Sequence, residues 1–391
     1  MEDALTTRLH AWERELLAGI EDLLPTDSDT PRVDVHVHHG IDSGTGEELT
    51  LDEAHRQRAA AGVDRLVLIP LKSSDGYGTA NDRLAELAAD DPDRIDFLAR
   101  VHPEQVEAAN VERALDRGAA GIKLHPESDG ADPTDARLRS SLELVGERNG
   151  VVLVHAGIDV DGTSEGVIQM ARTVPDARFV LGHVAADSLA AVAKHTAELD
   201  NVSICTAWWG PVDLAWALSW SHPDRFVFGA DPPFGSIPSS LSTITRVARA
   251  VGYDDAAMLA LLGGNADRLL RGEPIPLRAG EGPDPDPSPQ LLARLPAPWQ
   301  RCYVTLSIAA SLCEAGSRPT SQLQLAEAAL EADVLDPAHV EEADFVRRSL
   351  QFVADLHEAG ETRAAYIVAT GALGVVATAP LLRDPAQSPS G

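Results

Sequence analysis

Short runs of β-branched and apolar residues alternate with helical stretches over most of this chain. Between Arg32 and Gly272 eight such runs recur about every 20 to 35 residues, and the segments between them carry apolar residues at helical spacing. Repeated βα units predict a parallel sheet, and eight of them predict a closed (β/α)8, or TIM, barrel. An open doubly wound sheet is the alternative. The runs are VDVHVH (33–38), DRLVLIP (64–70), DFLARVHP (96–103), AGIKLHP (120–126), GVVLVHAG (150–157), RFVLGHV (178–184), VSICTA (202–207) and RFVFGAD (225–231).

The pattern changes on both sides of the predicted barrel, residues 31–272. Residues 1–30 are amphipathic and acidic, which predicts a helical extension and no export signal. Eight of the 26 prolines fall in 273–298, which predicts a linker or wrapping arm. Residues 299–391 return to helical spacing and predict a small all-α C-terminal domain. Its uncharged stretch, 364–382, is rich in Ala, Gly and Thr and favours a buried helix over a membrane span.

Acidic residues dominate the charge of the chain. Asp and Glu number 61 against 32 Lys and Arg, for a formal net charge of -29. This charge opposes binding to nucleic acid or to an anionic membrane surface. The three cysteines form no disulfide or zinc pattern, which favours a reducing, cytoplasmic location. A small-molecule substrate is therefore the expected partner, and homodimerisation through the helical domain is left open.

Histidine is concentrated where a barrel enzyme keeps its active site. Loops after the strands of such a barrel converge on one mouth, so functional side chains stand at the C-terminal strand ends. A strand sends residues two apart to one face, so both imidazoles of HVH (36–38) point the same way. Imidazoles and a carboxylate predict a divalent metal site, most suited to Zn²⁺, with Fe or Mn as alternatives. Six of the 13 histidines and one aspartate occupy strand ends: His36, His38, His102, His125, His155, His183 and Asp231.

Six segments occur in one order between Arg32 and Leu270: VDVHVHHG, GIKLHP, VLVHAG, VLGHVA, FGADPP and GNADRLL. Together they resemble the amidohydrolase superfamily, in its amidohydrolase-related branch of metal-dependent hydrolases and decarboxylases. The resemblance implies that the HxH pair, His155 and Asp231 bind the metal. It also implies that His183 either orients and activates the attacking water or ligates a second metal.

Hydrolysis is the reaction that this set of residues favours. A metal held by neutral imidazoles keeps a position open for water and lowers its pKa toward about 7. Asp231 is the candidate base that later returns the proton to the leaving group, and His183 stabilises the developing charge. The expected substrate bond is an amide, ester, lactone or thioester. The alternative in the same branch is nonoxidative decarboxylation of an aromatic or unsaturated acid. A non-enzymatic scaffold is disfavoured because every expected ligand is present.

Lys123, near the end of the fourth run, is the main ambiguity. The resemblance implies that a carboxylated lysine here would bridge two metals and draw His155 and His183 to the second ion. An uncarboxylated lysine would bind a substrate carboxylate or pair with Asp231. Further side chains near the mouth are candidates for substrate binding, with structural hydrogen bonding or core packing as the alternative for each: Arg100, His102, His125, Trp208 and Trp209.

Overall fold

Eight parallel strands follow one another in sequence order in this chain, which we describe from a computed structural model. The structure describes residues 2–26, 29–102, 108–132, 134–157, 163–184, 192, 199–220, 223–275, 290–331 and 335–382. Every strand overlaps one of the eight predicted runs. The strands are β1 Val33–Ile41, β2 Arg65–Pro70, β3 Ile95–Arg100, β4 Gly121–Leu124, β5 Val151–His155, β6 Arg178–Gly182, β7 Val202–Cys205 and β8 Phe226–Val227.

The sheet closes on itself. Each strand pairs in parallel with the next, from β1 with β2 to β7 with β8. At the seam, Val35 N donates to Phe228 O at 3.0 Å, and His38 N donates to Pro232 O at 3.0 Å. The predicted (β/α)8 barrel is therefore confirmed, and the open doubly wound alternative is wrong. A short strand, Glu48–Leu49, adds an antiparallel pairing to the end of β1.

Helices connect the strands and continue beyond the barrel. Local capping explains several boundaries: Thr50 accepts a hydrogen bond from Glu53 N at the start of the helix Leu51–Ala61, and Gly62 ends that helix in the left-handed conformation. The helices are α1 Glu2–Ala18, α2 Leu51–Ala61, α3 Gly78–Asp90, α4 Ala108–Asp116, α5 Pro126–Asp129, α6 Arg139–Glu147, α7 Thr163–Thr173, α8 Pro211–Trp220, α9 Ile237–Ala250, α10 Asp255–Leu259, α11 Asn265–Leu270, α12 Gln290–Arg294, α13 Ala297–Glu314, α14 Thr320–Ala329, α15 Val340–Glu358 and α16 Thr362–Leu382.

The helices after the barrel pack on it through α16. This helix contacts α9 of the barrel as well as α13 and α15, and the predicted C-terminal helical region is present. α16 is long and apolar enough to cross a membrane, yet 78% of its apolar window is buried in the protein. Its apolar faces are therefore covered by neighbouring helices, as expected of a core helix. Most of the predicted linker, 276–289, lies outside the described residues.

The N-terminal helix α1 contacts both the C-terminal helices and the barrel. Trp12 Nε1 in α1 donates to Ser349 Oγ of α15 at 2.9 Å, and the guanidinium of Arg8 lies 2.8 Å from Asp355. α1 also packs against α9. The first and last described helices, α1 and α16, therefore both pack on the side of the barrel formed by α9.

Gly121 in β4 lies against the backbone of β5 with no room for a side chain. A Cβ at this position would lie 1.8 Å from the backbone oxygen of Val151. This oxygen cannot move away, because the pairing of β4 with β5 fixes the backbone there. We expect Gly121→Ala to lower the free energy of unfolding by about 3 kcal/mol, measured by urea denaturation. Gly78→Ala in α3 is the control, because nothing lies within 4 Å of its Cβ position. Equal unfolding midpoints for the two variants would contradict the prediction.

Candidate metal centre

Three predicted ligands meet at the mouth of the barrel, where β1 faces the segment that follows β8. The Nε2 atoms of His36 and His38 lie 3.3 Å and 2.9 Å from Asp231 Oδ1. The ligand atoms of all three residues lie within 4.8 Å of one another, and all three side chains are buried. The structure therefore brings the HxH pair and the last-strand aspartate into one compact group.

An irregularity in β1 aims the two histidines into the barrel. The register with β2 shifts between Asp34 and Val37. Val35 consequently packs with the barrel interior, whereas Val37 packs with the layer between strands and helices. Asp34 Oδ1 accepts a hydrogen bond from His36 N at 2.9 Å, which holds the irregular backbone. Bulges of this kind redirect side chains next to active sites.

Glycine makes room for the His36 ring inside the barrel. A Cβ on Gly229 would lie 3.0 Å from His36 Cβ and 2.4 Å from Cys205 Sγ. A Cβ on Gly182 would lie 3.3 Å from His36 Cε1. His36 is therefore enclosed by backbone from β6 and the end of β8, which leaves it few alternative rotamers.

The strand ends around the mouth adopt a rare backbone conformation. His183, Trp208 and Asp231 have φ values of 62°, 68° and 59°. Positive φ in residues other than glycine costs on the order of 1–3 kcal/mol and is concentrated at functional sites. Three such residues after three consecutive strands indicate that the fold holds these side chains in position against a local conformational preference.

His183 faces Asp231 with a defined tautomer. Its Nδ1 lies 3.2 Å from the carbonyl oxygen of Ala207, which can only accept, so Nδ1 carries the proton. Its Nε2, free of that proton, lies 3.5 Å from Asp231 Oδ2. The basic nitrogen of His183 is thereby directed toward the ligand group.

His155 borders the group without joining its tightest contacts. Its Nε2 lies 3.3 Å from Glu127 Oε2, and its ring centroid lies 4.8 Å from that of His183. His125 stacks on His155 with the ring centroids 3.9 Å apart. A direct ligand role for His155 and a substrate role for His125 stay predictions.

Burial keeps the imidazoles neutral while the carboxylate stays charged. Burial lowers the pKa of His36 and of His38, and nearby Lys123 lowers both further. Burial also lowers the pKa of His183 to about 4. Burial alone would raise the pKa of Asp231, but His183 and His38 outweigh it and hold this pKa below its ordinary value. Neutral imidazole and ionised carboxylate are the protonation states that bind a metal.

The donor set fits a divalent cation. Within the described part of the chain, Asp231 Oδ1 and His38 Nδ1 are buried and accept or donate no hydrogen bond. His38 Nε2 lies close to Asp231 Oδ1 but is not aligned with it as a hydrogen bond requires. His38 Nε2 and Asp231 Oδ1 therefore lie close together without a hydrogen bond between them, as expected when both atoms point toward a metal ion. Nitrogen and oxygen donors of this kind suit Zn²⁺, Fe or Mn.

Lys123 lies at the bottom of the group, fully buried. Its Nζ is 3.1 Å from His36 Nε2, and burial lowers its pKa to about 7. An amine that loses its proton near neutral pH is nucleophilic, which is what carboxylation by carbon dioxide requires. Carboxylation of Lys123, which would distinguish a two-metal site from a one-metal site, stays a prediction.

Arg100 is held by partners of its own. Its Nε donates to Asp129 Oδ2 at 2.8 Å, and one terminal nitrogen donates to Ser128 Oγ at 2.6 Å. The hydroxyl of Tyr77 donates to the other carboxylate oxygen of Asp129 at 2.8 Å. These contacts describe a buried network between β3 and α5. The predicted substrate role of Arg100, and of His102 two residues on, stays a prediction.

The two tryptophans after β7 point in different directions. Trp208 is 41% exposed, and its ring centroid lies 5.7 Å from His183. Trp209 packs edge-on against Phe226, with the ring centroids 6.5 Å apart, and is partly buried against the core. Trp208 therefore lies at the mouth and Trp209 has the contacts of a packing residue, while a substrate role for either stays a prediction.

Several mouth residues were missed by sequence reasoning. Glu127 follows the GIKLHP motif directly, so strand-end position could have indicated it. Phe234 stacks edge-on against His38 at 5.8 Å and follows the FGADPP motif. Tyr366 in α16 lies 6.5 Å from Trp208. No local signal marked Tyr366, because only packing brings α16 to the mouth.

The buried lysine gives a prediction for stability against pH. The unfolded chain holds the Lys123 proton up to an ordinary pKa of 10.5, but the folded chain only to about 7. Between these values the unfolded state binds more protons, so this group makes the metal-free protein more stable as pH rises. We expect Lys123→Met to flatten the rise in urea midpoint between about pH 7 and 10. Lys72→Met is the control, and equal slopes in wild type and Lys123→Met would contradict the prediction.

Comparison with known proteins agrees with the barrel fold. Solved structures similar to the barrel include an amidohydrolase II (19% identity, TM-score 0.50, 61% of this chain and 99% of that one). They also include a 2,6-dihydroxybenzoate decarboxylase complexed with 2,6-dihydroxybenzoate (16%, 0.50, 62% and 99%). A third is an amidohydrolase from Burkholderia multivorans with bound zinc (19%, 0.51, 62% and 99%). At these identities the likeness shows the fold.

None of the curated proteins matches the chain. The sequence model of the amidohydrolase family matches residues 33–272, which span the whole barrel and all of the predicted metal ligands. This match covers more than half of the chain and confirms the resemblance expected from the six segments. The chain therefore belongs to the amidohydrolase family.

Proposed function

We propose that the protein is a metal-dependent hydrolase that cleaves an amide, ester, lactone or thioester bond in a small molecule. The convergence of His36, His38 and Asp231, with Asp231 Oδ1 accepting no hydrogen bond among the described residues, carries the proposal. His183 extends this group on one side, and His155 lies beyond it. The donor set favours Zn²⁺, with Fe or Mn as alternatives.

Asp231 and His183 have separate roles in the proposed hydrolysis. A divalent metal, when bound, supplies a Lewis acid that acidifies water and polarises the scissile carbonyl. Asp231 accepts the proton of the attacking water on its carboxylate, which is ionised because His183 and His38 hold its pKa low. It then returns that proton to the leaving group. His183 presents Nε2 toward the same carboxylate and orients the reacting groups.

Nonoxidative decarboxylation is the competing reaction in this family. One similar fold belongs to a 2,6-dihydroxybenzoate decarboxylase. A decarboxylase needs a cation that faces the substrate carboxylate and no attacking water. Arg100 is engaged by Asp129 and Ser128, and Lys123 lies against His36. Neither contact favours decarboxylation over hydrolysis.

A metal-reconstitution assay tests the proposed function. The full chain is loaded with Zn²⁺, Fe²⁺ or Mn²⁺ and supplied separately with ester, lactone, amide, thioester and aromatic acid substrates in ¹⁸O-labelled water. We expect turnover of a hydrolysable class, one ¹⁸O atom in the product carboxylate, and loss of turnover after chelation. Carbon dioxide release from an aromatic acid without ¹⁸O in the product would favour the decarboxylase instead.

A further inference from the structure

The helix added after the barrel places a cation at the mouth. Arg363, in the first turn of α16, lies with its guanidinium carbon 5.6 Å from the ring centroid of Phe234 and 5.8 Å from that of Tyr366. Phe234 in turn lies against the ring of His38. Arg363 is thus one aromatic ring away from a member of the candidate metal centre, although it comes from outside the family's barrel.

The aromatic side chains around Arg363 form a continuous wall, here called the mouth wall. Its members are Trp208, Phe234 and Tyr366. Trp208 lies 6.4 Å from Phe234 and 6.5 Å from Tyr366 between ring centroids, and it also faces His183. Flat apolar faces next to metal ligands suit the planar, unsaturated body of a small molecule.

Arg363 has a donor that the protein does not use. Its Nε donates to Glu47 Oε1 at 3.2 Å, which fixes the guanidinium against the hairpin that follows β1. Its Nη1 is excluded from solvent and has no hydrogen-bond partner within the described part of the chain. An unsatisfied donor calls for an explanation, and the side chain as a whole is 27% exposed, so the guanidinium can contact a ligand at the mouth.

The other cations near the centre are committed elsewhere. Arg100 is surrounded by Asp129, Ser128 and the backbone of Pro70. Lys123 is fully buried beneath His36. A chain with a net charge of -29 repels anionic molecules unless a local positive charge attracts them. Arg363 pairs with Glu47 through Nε, and within the described part of the chain its terminal nitrogens make no hydrogen bond, so they can attract an anion at the rim of the site.

We propose that Arg363 is a specificity-determining residue that binds a carboxylate group of the substrate through the terminal nitrogens of its partly exposed guanidinium while the mouth wall holds an unsaturated or aromatic body. Glu47 orients the guanidinium, and its bond to Nε leaves the terminal nitrogens to the ligand. The substrate is therefore an acid whose carboxylate lies away from the metal ligands. This inference rests on the proposed function only in placing the substrate at the mouth.

The test compares a charged ligand with its neutral isostere. Benzoate and benzamide are titrated by calorimetry into the full chain, both zinc-loaded and after chelation. We expect wild type to favour benzoate and Arg363→Gln to lose about 10- to 100-fold of that preference, since a charge-assisted hydrogen bond disappears. Arg363→Lys keeps the charge without the planar fork, so an intermediate preference is expected.

Arg348→Gln is the matched control. This arginine of α15 pairs with Glu15 of α1, so its loss perturbs the added helices without touching the mouth wall. An unchanged benzoate preference in Arg363→Gln, an equal loss in Arg348→Gln, or no preference in wild type would each overturn the proposal. The readout needs no turnover. If the protein hydrolyses a substrate but benzoate binding does not depend on Arg363, this inference alone is refuted. If benzoate binding depends on Arg363 but no substrate is hydrolysed, the proposed function alone is refuted.

Discussion

Replacing Asp231 by Asn is expected to lower kcat by about 10²- to 10⁴-fold, the usual contribution of a positioned general base. Asn keeps the size and one oxygen of the side chain but cannot accept and return a proton. Asp231 is buried and ionised, with His183 and His38 holding its pKa low, so no other described group is arranged to replace it as directly. The measurement is steady-state turnover of the substrate class found in the reconstitution assay.

Two controls separate proton transfer from metal loss and misfolding. Metal content per chain is measured in Asp231→Asn, because the same carboxylate belongs to the candidate ligand group. Asp267→Asn removes another buried carboxylate, which pairs with Arg65 and Arg271 instead of the histidines. Full turnover by Asp231→Asn with metal bound would show that the proton is handled elsewhere.

Removing His38 is expected to weaken metal binding by more than about 100-fold, since outer partners of ligands alone contribute 10–100-fold. Its Nε2 lies 2.9 Å from Asp231 Oδ1 inside the candidate group, so His38→Ala deletes one of the three clustered ligand atoms. Competition with a chromogenic chelator gives the affinity, and elemental analysis gives the metal per chain.

His39→Ala is the matched control for that experiment. His39 is the next residue of β1, and the pattern of the strand turns it away from the metal group. We expect this variant to retain metal at wild-type stoichiometry. Stoichiometric metal in His38→Ala with unchanged affinity would place the ion outside the group formed by His36, His38 and Asp231.

The residue pattern was sufficient to predict the barrel and the approximate place of its chemistry. Strand runs are local, because alternation and β-branching act over a few residues, and eight of them leave few ways to bury all their faces. Parallel strands also carry their C-terminal ends to one edge. Position in the first run and at the end of the eighth run therefore predicted that His36, His38 and Asp231 lie together.

Details of orientation could not be predicted in the same way. The register shift in β1 and the positive φ of His183, Trp208 and Asp231 depend on the packing of neighbouring strands. Trp208 and Trp209 are adjacent and chemically identical, yet one faces the mouth and the other the core. The local sequence does not distinguish the two tryptophans. Their different orientations depend on the tertiary contact between Trp209 and Phe226.

The sequence by itself determined the (β/α)8 barrel, the family, and the residue types available for a metal. Only the tertiary structure decided how those residues divide into a close group of His36, His38 and Asp231 and a border of His183 and His155. It alone brought Arg363 and Tyr366 of α16 to the mouth, more than 130 residues after β8. Contacts between segments so distant arise from burial of apolar helix faces, which is non-directional and leaves no local mark in the sequence.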